Sequence, residues 1–237
     1  MINQDTDQRT IEWMRQRWGH FTGSKVSVLM GKGRKKDQIF STTAMSYIYQ
    51  VAGERSFNPE FLSDDDLVED YINATEAHSK AMQWGIDNEA SARSLAANIL
   101  DKEIIEVSTC KHDTIPFFAA SPDGIIRDFD GAGHFGIIEI KCPSVGTFMQ
   151  YATEVKDGAS LKEVKPEYYW QMQAEMDCTG SVGGVFVIYS PVLSEPIKII
   201  HIERNDEDIK LMEERVKLAN QYIDEHIIIK DNNKENK

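Results

Sequence analysis

The chain has 237 residues, of which 41% are hydrophobic and 27% charged, ordinary values for a globular protein with a sizeable core. No run approaches the roughly eighteen apolar residues of a membrane-spanning helix, and the opening MINQDTDQRTIEW lacks the apolar region of a secretory leader. A net charge of −13 excludes a uniformly basic surface of the kind that binds polyanions anywhere on the molecule.

Taken in chain order, residues 9–18 read as a short helix with Ile11, Met14 or Arg15, and Trp18 along one face. Thr22 and Ser24 stand where an N-cap would, ahead of a second helix over residues 26–30. Residues 31–38 form a basic loop with two glycines. The first forty residues carry eight basic and four acidic side chains, a net +4, which leaves −17 for the remainder. Residues 43–51 predict a helix with Met45, Ile48 and Val51 as its buried stripe, and residues 57–70 an acidic loop with one helical turn. The longest helix is expected over residues 75–100, with Met82, Ile86, Ala90 and Ala97 on one side and Arg93 interrupting that stripe.

Strands follow near 104–108, 117–120, 124–127 and 137–141, then helices near 145–155 and 167–177. Tyr169 and Trp170, as helix aromatics, are expected in the core. Strands at 182–189 and 197–203 precede a last helix over 206–228, with Ile209, Met212, Val216, Ala219, Ile223 and Ile227 inward. Residues 230–237 form a polar stretch expected to be disordered. Repeats and internal linkers are lacking, so one α/β domain is expected over residues 1–229. Cys110, Cys142 and Cys178 are odd in number and widely spaced, as reduced thiols would be; a zinc site is not expected, nor is an iron–sulfur cluster.

The chemistry concentrates between residues 121 and 143, SPDGIIRDFDGAGHFGIIEIKCP. Alternate side chains of a strand share a face. Glu139 and Lys141 therefore point one way, and Ile138 and Ile140 the other. Residues 117–126 read as a neighbouring strand broken by a tight Pro122-Asp123-Gly124 turn, and hairpin pairing brings Asp123 beside Glu139. Two clustered carboxylates make a hard oxygen site for a Mg²⁺-type ion, and a neighbouring lysine can orient or deprotonate a water. Taken alone, Glu-x-Lys on a strand is more often a solvated ion pair.

The joint pattern resembles the PD-(D/E)xK nuclease signature, and the chain from Trp13 to Arg204 is similar to lambda exonuclease and the wider YqaJ-type viral recombinase family. The resemblance rests on six landmarks in order: Trp13-x-x-x-Arg17-x-Gly19-x-x-Thr22-x-Ser24, Ala81-Met-Gln-Trp84-Gly85-x-x-x-Glu89, Ala120-Ser-Pro-Asp-Gly124, Glu139-Ile-Lys-Cys-Pro143, Gln171-Met-Gln173 and Val187-x-Tyr189-x-Pro191. It implies an α/β (α+β) fold with a restriction-endonuclease-like core, a central mixed β-sheet flanked by helices. The implied activity is Mg²⁺-dependent 5′→3′ exonucleolytic removal of one strand of double-stranded DNA from a 5′-phosphorylated end. Mononucleotides are released and a 3′ overhang is left for recombination by strand annealing.

By the same resemblance two Mg²⁺ ions, replaceable by Mn²⁺, sit on Asp123, Glu139 and the Ile140 carbonyl, with Glu89 nearby. Lys141 serves the attacking water and Gln171 assists it, with Gln173 as the next choice. Arg17, Ser24 and Ser121 form the 5′-phosphate pocket, Arg34 enters DNA near strand separation, and Met82 is the apolar wedge. The family further implies a homotrimeric ring, a single-strand annealing partner and the cytoplasm of a phage's bacterial host. The sequence departs from the lambda pattern in a longer turn at 127–133 and in a shorter stretch after Pro143 that lacks a basic residue. An endonuclease of the same fold would keep the metal residues without the phosphate pocket, and a DNA-end-binding module would need neither intact carboxylates nor Lys141.

Overall fold

The computed structural model describes residues 7–35, 38–75 and 79–227. The expected polar stretch at 230–237, Lys36 of the basic loop and the first residues of the expected long helix at 76–78 lie outside them. The described chain runs α1 (Ile11–Arg17), β1 (Phe21–Thr22), α2 (Gly23–Val26), a 3-10 turn (Ser27–Met30), α3 (Thr42–Glu54), α4 (Pro59–Ser63), α5 (Asp65–Thr75) and α6 (Lys80–Leu100). It continues through β2 (Ile104–Ile105), β3 (Cys110–Lys111), β4 (Phe118–Ala120), β5 (Gly124–Ile126), β6 (Gly136–Lys141), α7 (Val145–Glu154), α8 (Gly158–Val164) and α9 (Pro166–Thr179). β7 (Gly183–Tyr189), β8 (Ile197–Glu203) and α10 (Asp206–His226) complete it.

The main sheet has strand order β2-β5-β6-β7-β8, with β6 and β7 parallel and the other pairs antiparallel. β7 is buried along its whole length, which explains why its sequence is an uninterrupted apolar run where an edge strand would alternate. The edge strand β8 keeps the period of two: Ile200 and Ile202 enter the larger core, while Ile197 and Ile199 pack on the smaller one. The larger core includes residues of α3, α9 and α10. The smaller places Ala92 and Ala96 of α6 against Ile126, Ile138, Ile140, Val185 and Val187. A second sheet, order β1-β4-β3, sets the segment Phe21–Thr22 parallel to β4.

Local signals fix the helices. Ser79 accepts from the Met82 N–H at the start of α6, and Asp101 closes it in the left-handed region at φ 51°. Pro166 opens α9, and Gly180 at φ 68° ends it, the arrangement expected of Pro at N1 and Gly past the C-terminus. Asn205 caps α10, whose first turn is acidic.

Several expectations are corrected. Residues 57–70 hold two helices: Asn58 caps α4, and the Asp64 carboxylate accepts from the N–H groups of Asp66 and Leu67 before α5. Packing of Trp18, Phe57, Phe61 and Tyr71, with ring centroids 5.0–5.9 Å apart, holds that pair in place. α8, with a capping box of Asp157 and Ser160, lies between the two helices expected near 145–155 and 167–177. The expected strand at 104–108 shortens to two residues, and the two-residue strands β1 and β3 lacked enough pattern to be seen. On α6 the stripe was placed on the wrong face: Met82, Ile86 and Ala90 are exposed, and Glu89, Ala92 and Ala96 are buried.

Gly184 permits the close pairing of β6 with β7. A Cβ there would stand 2.7 Å from the Ile137 side chain and 2.8 Å from the Ile137 carbonyl oxygen. Because one obstacle is backbone, Gly184→Ala should lower the unfolding free energy by about 1–3 kcal/mol, as overpacking does. Urea denaturation should show a lower midpoint at unchanged slope; an unchanged midpoint would mean the strands separate there without strain.

Candidate active site

β5 and β6 pair with Gly124 opposite Ile138, which carries Asp123 to the level of Glu139. The Asp123 Oδ2 then accepts the Ile140 N–H at 2.7 Å. Lys141 forms an ion pair with Glu139 and lies 4.7 Å above the Tyr168 ring. As expected, Ile138 and Ile140 face the opposite side, toward α6. The face of Glu139 is not solvated, however. α9 covers it, and Glu139 is 1% exposed.

Gln171 on α9 donates its amide nitrogen to Glu139 at 2.8 Å and to Glu175 at 2.9 Å. Glu175, 1% exposed, is a third buried carboxylate that the sequence reading missed. The available signal was its position four residues after Gln171, on the same helix face. The Oε2 atoms of Glu139 and Glu175 are both buried and hold no hydrogen bond. Burial, followed by the charges of Glu139 and Glu89, raises the Asp123 carboxyl well above the ordinary carboxylate range. Glu175 moves the same way, through burial and then Glu139 and Asp123. For Lys141 burial opposes the charge, but Glu139 and Asp123 outweigh it and raise the ammonium's pKa.

Glu89 faces this group from α6. Its Oε1 accepts from Arg93 at 2.6 Å, and its Oε2 pairs with Arg9. Arg93 also donates to the Asp123 carbonyl at 2.9 Å and pairs with Glu106 at 2.5 Å. The arginine that interrupts the apolar stripe therefore joins α6 to the Pro122-Asp123-Gly124 turn. Excess carboxylate charge, all-oxygen donors and an orphaned Glu139 oxygen fit a hard divalent cation, and Asp123, Glu139 and Glu89 are the residues that could hold one.

Asp123, Glu89 and Lys141 border a cleft of about 470 Å³ lined also by Met82, Gly85, Cys142, Pro143 and Tyr168. Met82, 51% exposed, is thus at the cleft and not in the core. A second cavity of about 200 Å³ contains Arg17, Ser24, Thr22, His20 and Lys25. There Arg17 donates to Ser121 Oγ at 3.1 Å and to Ser24 Oγ at 3.2 Å, with its guanidinium 4.2 Å over Trp13. Three residues distant in sequence thus converge, and Ser121 lies two positions before Asp123. Thr22, the N-cap of α2, makes no side-chain capping bond. Gln173 turns away from the site, donating to the Glu203 carbonyl and accepting the Asn205 N–H. Arg34 is exposed on the basic loop and does not line the cleft. The loop's ends are tied together by Arg215 of α10, which donates to the carbonyls of Leu29, Gly31 and Ile39.

Among the described residues His112, Asp177 and Glu213 also bring possible ligand atoms within 4.8 Å of one another. His112 Nδ1, however, accepts the N–H groups of Thr114 and Ile115 at 3.1 and 3.0 Å. A neutral imidazole accepting at Nδ1 carries its proton on Nε2, the nitrogen facing Asp177 at 3.2 Å. That nitrogen has no lone pair for a metal, so the trio serves as a brace between the β3–β4 connection, α9 and α10.

The family model for the YqaJ-like viral recombinase domain matches residues 12–182. The fold is similar to the crystal structure of an alkaline exonuclease, LHK-Exo, from Laribacter hongkongensis: TM-score 0.69, 28% identity, 91% of this chain and 93% of that one covered. The same enzyme has been solved in complex with dAMP. A phage related exonuclease from Haemophilus somnus 129PT shares the fold at TM-score 0.58 and 18% identity, over 89% of this chain and 96% of that one. No curated protein matches the chain significantly. With its mixed sheet, its PD-(D/E)xK core and the matched span, the chain belongs to the YqaJ-like viral recombinase domain family.

Proposed function

We propose that this protein is a Mg²⁺-dependent 5′→3′ exonuclease. It would degrade one strand of double-stranded DNA from a 5′-phosphorylated end to mononucleotides and leave a 3′ overhang for strand annealing. The observation that carries this reading is adjacency. The carboxylate and lysine group at Asp123, Glu139 and Lys141 lies two residues along the chain from Ser121, an acceptor of the Arg17 guanidinium. An endonuclease would have no use for that pocket. The similarity to an alkaline exonuclease solved with dAMP supports the same class.

Asp123, Glu139 and the Ile140 carbonyl would hold the Mg²⁺ ions, with Mn²⁺ as a substitute, and Glu89 would join them on release from Arg9. Bound there, the ions supply stabilisation of the charge that develops on the phosphoryl group and the leaving 3′-oxygen. Lys141 donates to and orients the attacking water. Gln171 has both N–H donors engaged on Glu139 and Glu175, so its amide oxygen is left to accept from the water or from Lys141. Arg17 gives a planar fork to the terminal phosphate, with Ser24 and Ser121 adding hydroxyl donors. Arg34 contacts the duplex near strand separation, and Met82 presses on the terminal base pair from the cleft wall. The described residues contain no helix long and apolar enough to cross a membrane, compatible with work on DNA in a bacterial host's cytoplasm beside a single-strand annealing protein. One domain over residues 1–229 would house all of this.

Linear duplexes with and without a 5′-phosphate, and a closed circle, each with Mg²⁺, test the assignment. Mononucleotides should come from the linear phosphorylated substrate; nicked or cut circles would make the protein an endonuclease, and binding without product a passive end-binding module. Lys141→Ala should reduce turnover by about 10²-fold or more, the scale of losing a positioned group that acts on the nucleophile, while divalent-ion binding survives. Asp123→Ala should lose both. Retention of more than about a tenth of the wild-type rate by Lys141→Ala would remove its assigned role.

Arg17→Ala should erase most of the preference for phosphorylated over hydroxyl ends, by about tenfold or more for charge-assisted bonds worth roughly 1.5–3 kcal/mol. Equal losses on the two ends would instead make Arg17 a general backbone contact.

A homotrimeric ring completes the proposal. Three copies of a +4 segment around one channel would concentrate positive charge on a −13 chain. Sedimentation should then give a mass near three times 26.9 kDa. A monomer that degrades long DNA processively would sink the ring and leave the metal chemistry standing.

A further inference from the structure

Arg9 belongs to none of the motifs, yet its side chain lines the same cleft as Glu89, Asp123, Lys141 and Tyr168. Glu89 is held by two arginines in different conditions. Arg93 is 12% exposed and committed on every side, to Glu89, Glu106 and the Asp123 carbonyl. Arg9 is 40% exposed and, among the described residues, pairs with the Glu89 Oε2. The first is a buried brace, whereas the second reaches into the cleft partly open to solvent.

The backbone delivers Arg9 there at a conformational cost. Its φ is 69°, in the left-handed region that a residue with a side chain rarely occupies. Such a conformation persists where neighbouring contacts over-determine it, and it concentrates at functional sites. On one side, Gln8 donates to the Val107 carbonyl at 3.0 Å and the Pro122 carbonyl at 2.8 Å, tying the segment to the residue beside Asp123. On the other, Thr10 caps α1 by accepting the Trp13 N–H and donates to the Asp7 carbonyl. Arg9 is thus pinned at both flanks with its guanidinium over the carboxylates.

We propose that Arg9 is a phosphate-binding residue of the cleft, resting on Glu89 when no nucleic acid is bound and transferring its guanidinium to a phosphoryl group of the strand being hydrolysed. The inference rests on the nuclease reading above. Glu89 offers Arg9 one oxygen, its Oε2, the other being held by Arg93, whereas a phosphoryl group takes the guanidinium fork bidentately, so the exchange keeps the charge-assisted bonding and adds to it. It also frees the Glu89 Oε2, so that Arg9 and a divalent ion compete for one oxygen until substrate draws Arg9 away.

The full-length chain and its Arg9→Gln and Arg9→Lys variants test this. Calorimetric titration of dAMP in Ca²⁺, which fills hard-oxygen sites, should show Arg9→Gln binding about tenfold or more weakly, the scale of losing charge-assisted bonds. Arg9→Lys should fall between, since it keeps the charge and loses the fork; it also stands in should Arg9→Gln fail to fold. Without nucleotide, Arg9→Gln should bind Mn²⁺ more tightly than wild type. On a linear 5′-phosphorylated duplex, KM should rise by a factor similar to the dAMP loss, with kcat changed about threefold at most. If dAMP affinity and KM stay within about twofold of wild type in both variants, the proposal fails. It fails equally if kcat and the unfolding midpoint drop while dAMP affinity is kept, for Arg9 is then a brace of Glu89. A wild-type protein that binds dAMP through Arg9 yet leaves DNA intact would overturn the nuclease reading and support this site.

Discussion

The structure turns on holding several carboxylates together in a place where water cannot screen them. Glu139 and Glu175 are 1% exposed and Glu89 is 9% exposed, and charge in such surroundings is strongly disfavoured unless it is paired. Lys141, Arg9 and Arg93 supply opposing charge, and Gln171 supplies donors without altering the charge. Each of these partners comes from a different element: β6, the segment before α1, α6 and α9. The sheet order and the packing of α6 and α9 on opposite faces are therefore conditions for the site, not its background. A cation added to this group relieves repulsion that the fold maintains, and that is the electrostatic basis for attracting one.

The same argument resolves the conflict between an acidic chain and a polyanionic substrate. Arg17 and Lys25 belong to the +4 opening segment, and both line the Arg17 cavity. Lys32, Arg34 and Lys35 belong to the same segment and sit on a loop whose two ends Arg215 ties through backbone carbonyls. Positive charge is local and anchored, and the long acidic remainder repels nucleic acid that arrives in other orientations. Binding is then confined to one geometry by charge placement, with no need for a positive total.

Much of this was legible because the signals were local. The two-residue period of Gly136–Lys141 separates Glu139 and Lys141 from Ile138 and Ile140, and the Pro122-Asp123-Gly124 turn leads into β5, whose pairing with β6 sets Asp123 level with Glu139. β8 and α10 likewise follow from period and caps. What failed depended on tertiary context. The buried face of α6 carries Glu89 and Arg93 beside Ala92 and Ala96, so hydrophobic periodicity favoured the neighbouring stripe; charge pairing buries Glu89 and Arg93, which a hydropathy pattern cannot register. Glu175 looks like any helix glutamate until α9 is laid over β6. Arg9 looks like a polar residue before a helix until Gln8 and Thr10 fix its backbone. β1 and β3 are two residues each and exist through their pairing with β4.

The short connection between the two cavities constrains what the proposed enzyme can release. Ser121 serves the Arg17 pocket and Asp123 serves the metal-site carboxylates, and a single residue, Pro122, separates them. Two residues of extended chain span at most about 7 Å, while each nucleotide of a B-form strand advances about 3.4 Å along the helix axis. Pro122 fixes its own φ and restricts Ser121 before it, and Gln8 holds the Pro122 carbonyl in place. The backbone between the two groups is therefore stiff, and its reach is on the scale of one or two nucleotide steps. On the proposed reading, a terminal phosphate seated in the Arg17 pocket would set a nearby phosphodiester against Asp123 and Glu139, and mononucleotide release and end-dependence would then be two consequences of the same short tripeptide.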